Sequence, residues 1–275
     1  MRDISTIEKR IWCWRDTVEI SKALEKLKIQ TTEKCVWSEK IKPPSKIRNT
    51  SVDVLNADTL DVARSMIQRG LRPLVLNLAD NCFPGGHVDA GSGAQEESLF
   101  RCTNLCTTLN LDRLPPKTYP LSGTDTLLTR NAYILKESEA GAWLPLKLFA
   151  RIDVISCPGI RNPPCGPEGR MPADQVELLE KKVETIFQVA IANKNDAVVL
   201  GAIGCGAYRN PPQHVAEIMH RVTRKWAHAF TEVSFAIFSG TEAGYIVNNR
   251  RNGPDNFEIF SNYFNSFPIQ PTKSI

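Results

Sequence analysis

The sequence predicts an α/β domain with helices on both faces of one sheet. Three observations lead there. Short apolar runs rich in β-branched residues recur along the chain. Segments of helical period lie between them. A Pro- and Gly-rich stretch directly follows one of the strands, where α/β sheets place ligands. The predicted strands are Ser51–Leu55, Leu74–Ala79, Ile152–Cys157, Val198–Ile203 and Val233–Phe238. Each is mostly apolar on both faces, as suits strands in the middle of a sheet. Helix Leu60–Gln68 gathers Leu60, Ala63, Met66 and Ile67 on one face. Helix Gln95–Leu109 does so with Leu99, Cys102, Leu105, Cys106 and Leu109 at three- and four-residue steps. Ala173–Ala192, Pro212–Ala229 and Phe257–Phe264 complete the set, with Pro172 and Pro212 in first-turn positions. Residues 1–45 read as an N-terminal helical appendage built on an amphipathic helix Thr17–Ile29 and ended by Lys42-Pro43-Pro44. Residues 46–275 read as the main domain. Cys157 to Pro172 holds five prolines and three glycines and is a loop.

Composition excludes several classes. Of 275 residues, 42% are hydrophobic and 23% charged, enough apolar material for a full core and too much for a disordered or collagen-like chain. The net charge of +4 comes from scattered basic residues, with only short runs at Lys40–Lys46 and Arg221–Lys225. A nucleic-acid partner is therefore not expected. No apolar stretch approaches the roughly 20 residues of a membrane span. Met1–Arg15 lacks the apolar core of a Sec signal, so a cytoplasmic protein, or one translocated into a host cell by another route, is expected. The eight cysteines lack any CxxC pair and read as reduced, mostly buried thiols. His214, His220 and His228 fall in or beside one helix and read as solvated. Trp12, Trp14 and Trp37 read as packing the N-terminal segment onto the domain.

Three strand ends carry candidate chemistry. Asn77-Leu78-Ala79-Asp80-Asn81-Cys82-Phe83-Pro84-Gly85-Gly86-His87 runs a buried strand into a glycine turn, which lets backbone approach a ligand and aim consecutive N–H groups at an anion. Seven residues later, Gln95-Glu96-Glu97 opens a helix. Adjacent helix positions point about 100° apart, so one glutamate can meet a sugar hydroxyl while the other meets the bond being broken. Further on, Val198 to Gly201 leads into Gly204-Cys205-Gly206-Ala207-Tyr208 and then a helix, a phosphate-site arrangement that is neither the dinucleotide fingerprint nor a P-loop.

Together these motifs resemble the poly(ADP-ribose) glycohydrolases of microbial type, a family of divergent macrodomains. The family signature is Gly-Gly-Gly, six to eight residues, then Gln-Glu-Glu; this chain has Gly85-Gly86-His87, seven residues, then Gln95-Glu96-Glu97. Asp58 to Arg64, Leu200 to Pro212 and Phe230 to Phe238 are similar to further segments of the family, in consistent order over roughly residues 50–265. The resemblance implies a mixed-sheet macrodomain that binds ADP-ribose. It also implies an enzyme that breaks the glycosidic bond of ADP-ribose in poly(ADP-ribose) or on mono-ADP-ribosylated protein side chains, arginine included. By residue match Glu97 is the acid/base and Glu96 holds ribose hydroxyls. Gly85 and Gly86 lie along the diphosphate, Gly204 to Ala207 wrap its other side, and Tyr208 takes the place of an aromatic near the ligand. Asn77, Gln95, Asp80 and His87 complete the site, the last two as departures from the family pattern. Asp80 and Asp89 are the acids that charge alone would offer to a guanidinium. Backbone donors suit the diphosphate, so neither metal nor cofactor is expected. The alternative reading is a silent ADP-ribose reader, against which the two glutamates speak.

Overall fold

The computed structural model describes residues 4–27, 30–45, 49–137, 143–145, 148–239 and 255–265. The helices are α1 (Ile4–Leu24), α2 (Thr59–Gln68), α3 (Gln95–Cys102), α4 (Ala173–Ala192), α5 (Pro212–Trp226) and α6 (Asn256–Phe264). The strands are β1 (Thr31–Cys35), β2 (Ser51–Leu55), β3 (Pro73–Asn77), β4 (Thr126–Ile134), β5 (Ala150–Ser156), β6 (Ala197–Leu200) and β7 (Glu232–Ala236). They form one seven-stranded mixed sheet in the order β1-β4-β5-β3-β6-β7-β2. The mixed α/β fold read from the sequence is the fold observed.

The chain divides into two compact units. One contains residues 1–35 and 77–158. Its strands are antiparallel: β1 pairs with β4 and β4 with β5. The other contains 36–76 and 159–239 together with α6. Its pairings are parallel, β3 with β6, β6 with β7 and β7 with β2. Here α4 packs on α5 and α5 on α6, while α2 lies against β6 and β7. β3, β6 and β7 are buried at every position; β6 and most of β3 accordingly run apolar without alternation, while β7 also buries Glu232 and Ser234. Asp58 caps α2 by accepting the Leu60 N–H at 2.8 Å.

Every predicted strand and helix of the second unit is present, within two or three residues at its ends. The first unit differs more. α1 begins at Ile4 rather than Thr17, and Lys28 and Ile29 lie outside the described residues. Its buried stripe is Arg10, Cys13, Trp14, Thr17 and Ser21, mostly polar residues that give little apolar periodicity. β1 is a largely exposed edge strand of sequence TTEKC. β4 is interrupted by a bulge at Asn131, with φ of +58°, and it buries threonines rather than aliphatic residues at Thr126 and Thr129. Their hydroxyls bond Cys35 O at 3.1 Å and the Thr32 hydroxyl at 2.9 Å. α3 stops at Cys102 because Thr103 turns extended and bridges Ile134; the Cys102 carbonyl then accepts the Leu135 N–H at 2.8 Å.

Of the cysteines, Cys13, Cys102, Cys157 and Cys205 are buried and Cys82 and Cys165 exposed. His214 is not solvated as expected. It is buried, and its Nδ1 accepts the Met171 N–H at 3.0 Å. Trp14 packs inside, Trp37 donates to Glu184 at 3.0 Å, and Trp12 is 68% exposed. Among the described residues, no helix is long and apolar enough to cross a membrane.

Candidate functional site

The first unit gathers eight of the predicted residues: Asn77, Asp80, Gly85, Gly86, His87, Gln95, Glu96 and Glu97. β3 delivers Asn77 at its end, fully buried. α3 presents Glu96 and Glu97 in its first turn, where the unpaired amides of a helix start favour negative charge. The side chain of Gln95 ties the two elements, its Oε1 accepting the Leu78 N–H at 2.8 Å.

The adjacent glutamates have different surroundings. Both are buried, Glu96 at 3% and Glu97 at 6% exposure. The Oε1 of Glu96 accepts Asn77 Nδ2 and Gly85 N–H, each at 3.1 Å, and its Oε2 accepts the Asp80 N–H at 2.7 Å. A carboxylate offers about four lone-pair sites, so one remains. Glu97 accepts one bond, from the His87 N–H to Oε1 at 3.0 Å, and its Oε2 is buried without a hydrogen-bond partner among the described residues. Such an orphan is costly in a folded protein and calls for a reason.

Burial pushes the Glu96 carboxyl up to about 8 from its ordinary 4.5, against the pull of its three donors. The neighbouring Glu97 charge adds a smaller push in the same direction. Between those two values the folded chain holds a proton that the unfolded chain has released. Stability therefore falls as pH rises through that window. Urea unfolding from pH 5 to pH 8 is expected to show this fall in the wild type and a flatter profile in Glu96→Gln. A wild-type profile as flat as the mutant's would contradict the assignment.

The glycine turn fits between these carboxylates. Gly85 has φ of +81° and Gly86 of +54°. A Cβ on Gly85 would meet the Phe100 ring at 2.8 Å; one on Gly86 would meet Glu97 Oε1 at 2.5 Å and Glu96 Oε2 at 3.2 Å. His87 occupies the third glycine position at φ of −102°, where any residue is accommodated. Its exposed ring stands edge-on to Phe83 at 5.4 Å, while its amide serves Glu97. This departure from the family pattern therefore leaves the turn intact. Asp80 is also accounted for. Its Oδ1 accepts the amides of Cys82 at 2.7 Å and Phe83 at 3.3 Å, capping the bend before the glycines.

Gly204, Cys205, Gly206, Ala207 and Tyr208 belong to the other unit. Their loop is stitched to the segment after β5. Asn162 N–H donates to Tyr208 O at 2.9 Å, and Asn210 Oδ1 accepts the Ile160 N–H at 3.3 Å. Gly204, at φ of +72°, approaches Gly159 so closely that a Cβ on Gly159 would meet its Cα at 2.5 Å. Cys205 is buried. The Arg161 guanidinium lies 5.7 Å from the centre of the Tyr208 ring.

Three supporting residues escaped the sequence reading. Ser156, buried at the end of β5, accepts Asn77 Nδ2 at 3.0 Å and so orients the amide that holds Glu96. Phe100 walls the glycine turn, and Asn210 knits the second loop. Ser156 precedes a loop at a strand end, which was the available signal; the other two sit in ordinary core and turn contexts. Among the described residues no group of three or more His, Cys, Asp or Glu side chains is placed to hold a metal ion.

Comparison with known proteins bears on the family and the fold. The model of the microbial-type PARG catalytic domain matches residues 6–135. A macro domain-containing protein of Vibrio parahaemolyticus is 36% identical over 67 residues, 24% of this chain and 39% of that protein's length. Poly(ADP-ribose) glycohydrolase from Thermomonospora curvata superposes with a TM-score of 0.73 at 20% identity, over 94% of this chain and 100% of the other. The enzyme from Deinococcus radiodurans in complex with ADP-ribose gives 0.63 at 22% identity, over 80% of this chain and 86% of that one. The resemblance to the microbial-type PARG family and the macrodomain-like fold are thereby borne out.

Proposed function

From that family resemblance, we propose that the chain is an ADP-ribosyl glycohydrolase acting on poly(ADP-ribose) or on mono-ADP-ribosylated protein side chains. One observation carries the reading: the buried, unpartnered Oε2 of Glu97 beside a glycine turn. A module that only binds ADP-ribose has no use for a buried acid with one oxygen left open. In the proposed reaction Glu97 protonates the leaving group as the bond at the ribose breaks through an oxocarbenium-like state. Its carboxylate then activates water for attack on the same carbon. Glu96, fixed by Asn77, Gly85 and Asp80, has one site left for a ribose hydroxyl. The Gly85–Gly86 turn is read as a diphosphate contact, with ADP-ribose the ligand and no metal or cofactor in the reaction. The binding energy of the remote adenosine diphosphate would hold the reacting carbon in place.

The acceptor stays as read from the sequence, a ribose of the polymer or a protein side chain, arginine included. Asp80 caps its own turn, and Asp89 accepts the Trp14 indole at 2.5 Å. The compartment stays as read from the sequence, cytoplasmic or a host cell after translocation.

The test is release of ADP-ribose from two labelled substrates, a poly(ADP-ribosyl)ated protein and an arginine-mono-ADP-ribosylated one. Release from at least one of them is the expected result, and which one identifies the acceptor class. No release from either, with ADP-ribose still bound in calorimetry, would replace the hydrolase by a reader.

A further inference from the structure

Resting on the reading of Glu97 as acid and base, we propose that Trp14 is a positioning residue for that carboxylate, acting through Asp89. Trp14 lies on α1 and is buried, and its Nε1 donates to Asp89 Oδ1 at 2.5 Å. Asp89 is the middle residue of a 3-10 turn, Val88–Ala90, that starts directly after His87. Three backbone bonds close this turn. Val88 N–H donates to Gly85 O, Ala90 N–H to His87 O and Gly91 N–H to Val88 O, each at 3.1 Å. Gly85, His87 and Asp89 therefore move as one piece, and the His87 amide is the donor that holds Glu97 Oε1. The Trp14 ring also faces Phe100 at 6.1 Å between centroids, and Phe100 is the wall behind Gly85. One side chain thus reaches the catalytic turn twice, through its N–H at Asp89 and through its ring toward Gly85.

The rest of α1 follows the same loop. A Cβ on Gly91, at φ of +72°, would meet Ile7 O at 2.8 Å, and one on Gly93 would run into the Arg10 guanidinium. The helix is also anchored independently of Trp14. Buried Lys136 donates to Cys13 O at 2.8 Å and to Asp16 Oδ2 at 3.1 Å, and Thr17 Oγ1 donates to Arg101 O at 2.5 Å. Removing one indole N–H therefore leaves α1 docked and loosens only the turn. A buried tryptophan N–H normally finds some partner. What distinguishes this case is that the partner sits two residues beyond the amide that holds the acid.

Three variants separate the hydrogen bond from packing and from charge. Trp14→Phe keeps a ring and removes the donor. Asp89→Ala removes the acceptor. Asp89→Asn keeps an accepting oxygen and removes the charge. Trp14→Phe and Asp89→Ala are each expected to lower kcat by about tenfold with KM within about twofold, as for a small misplacement of a reacting group. Amide hydrogen exchange over residues 85–92 is expected to rise in both. Asp89→Asn is expected to stay near wild type, and the double variant to be no worse than either single one. Wild-type kcat and exchange in Trp14→Phe would overturn the proposal. So would damage in Asp89→Asn equal to that in Asp89→Ala, because the charge would then be what matters. Should the wild type release no ADP-ribose at all, the glycohydrolase reading fails on its own account. Exchange then still decides: faster in Trp14→Phe but not in Asp89→Asn supports the brace, and unchanged in both sinks it.

Discussion

Glu97→Gln is expected to lower ADP-ribose release by about 10²–10⁴-fold, the usual worth of a positioned acid or base, while ADP-ribose still binds. The amide is nearly isosteric. Its oxygen can keep the His87 N–H at the position where the wild-type Oε1 accepts it at 3.0 Å. Its nitrogen would take the Oε2 position, which is buried and without a hydrogen-bond partner among the described residues. An amide there can neither give a proton to the leaving group nor take one from water. The measurements are single-turnover release from the substrate that the wild type cleaves, and calorimetry with ADP-ribose. Turnover within about threefold of wild type is well below the effect of losing a general acid and would remove Glu97 from the role. Loss of binding together with turnover would make it a ligand contact instead.

The contrast with its neighbour explains why the effect should fall on Glu97. Both carboxylates leave the same helix turn, and both are buried. Three donors from Asn77, Gly85 and Asp80 immobilise Glu96. A group so held is suited to placing a sugar and poorly suited to swinging a proton between leaving group and water. Glu97 has one fixed oxygen and one open one, the arrangement that alternating acid and base steps require.

Much of this was legible in the sequence because the informative signals are local. β3 and β6 announce themselves as apolar runs because they are buried at every position. The glycine turn and the paired glutamates are linked by a short, countable spacing. What escaped was carried by polar burial. α1 hides Arg10, Thr17 and Ser21, and β4 hides Thr126 and Thr129. A pattern that scores only apolar side chains passes over these positions, and the partners of Thr17 and Thr126, Arg101 O and Cys35 O, lie far away in the sequence. The support from Ser156 and Trp14 was invisible for a related reason. Their partners Asn77 and Asp89 lie 79 and 75 residues away along the chain, and no spacing links the two members of either pair.

Gly86→Ala is the second large effect expected, and the turn geometry lets its two causes be separated. At φ of +54° an L side chain is strained, by roughly 1–2 kcal/mol in the left-handed region. That strain alone would lower stability. The added Cβ would also stand 2.5 Å from Glu97 Oε1 and 3.2 Å from Glu96 Oε2, so one or both carboxylates must shift. Gly123 supplies the control, with φ of +52° and nothing within 4 Å of the position its Cβ would take. Gly123→Ala is expected to show the strain alone, a loss of about 1–2 kcal/mol in urea unfolding with turnover unchanged. Gly86→Ala is expected to lose at least as much stability and, in addition, about 10²-fold in turnover, as for a reacting group displaced by about an ångström. If the two alanine variants turn over alike, the glutamates tolerate the intrusion, and the close fit of this glycine between them has no part in the chemistry. If only Gly86→Ala is impaired, the missing Cβ is what lets the acid stand against the turn that is proposed to cradle the substrate.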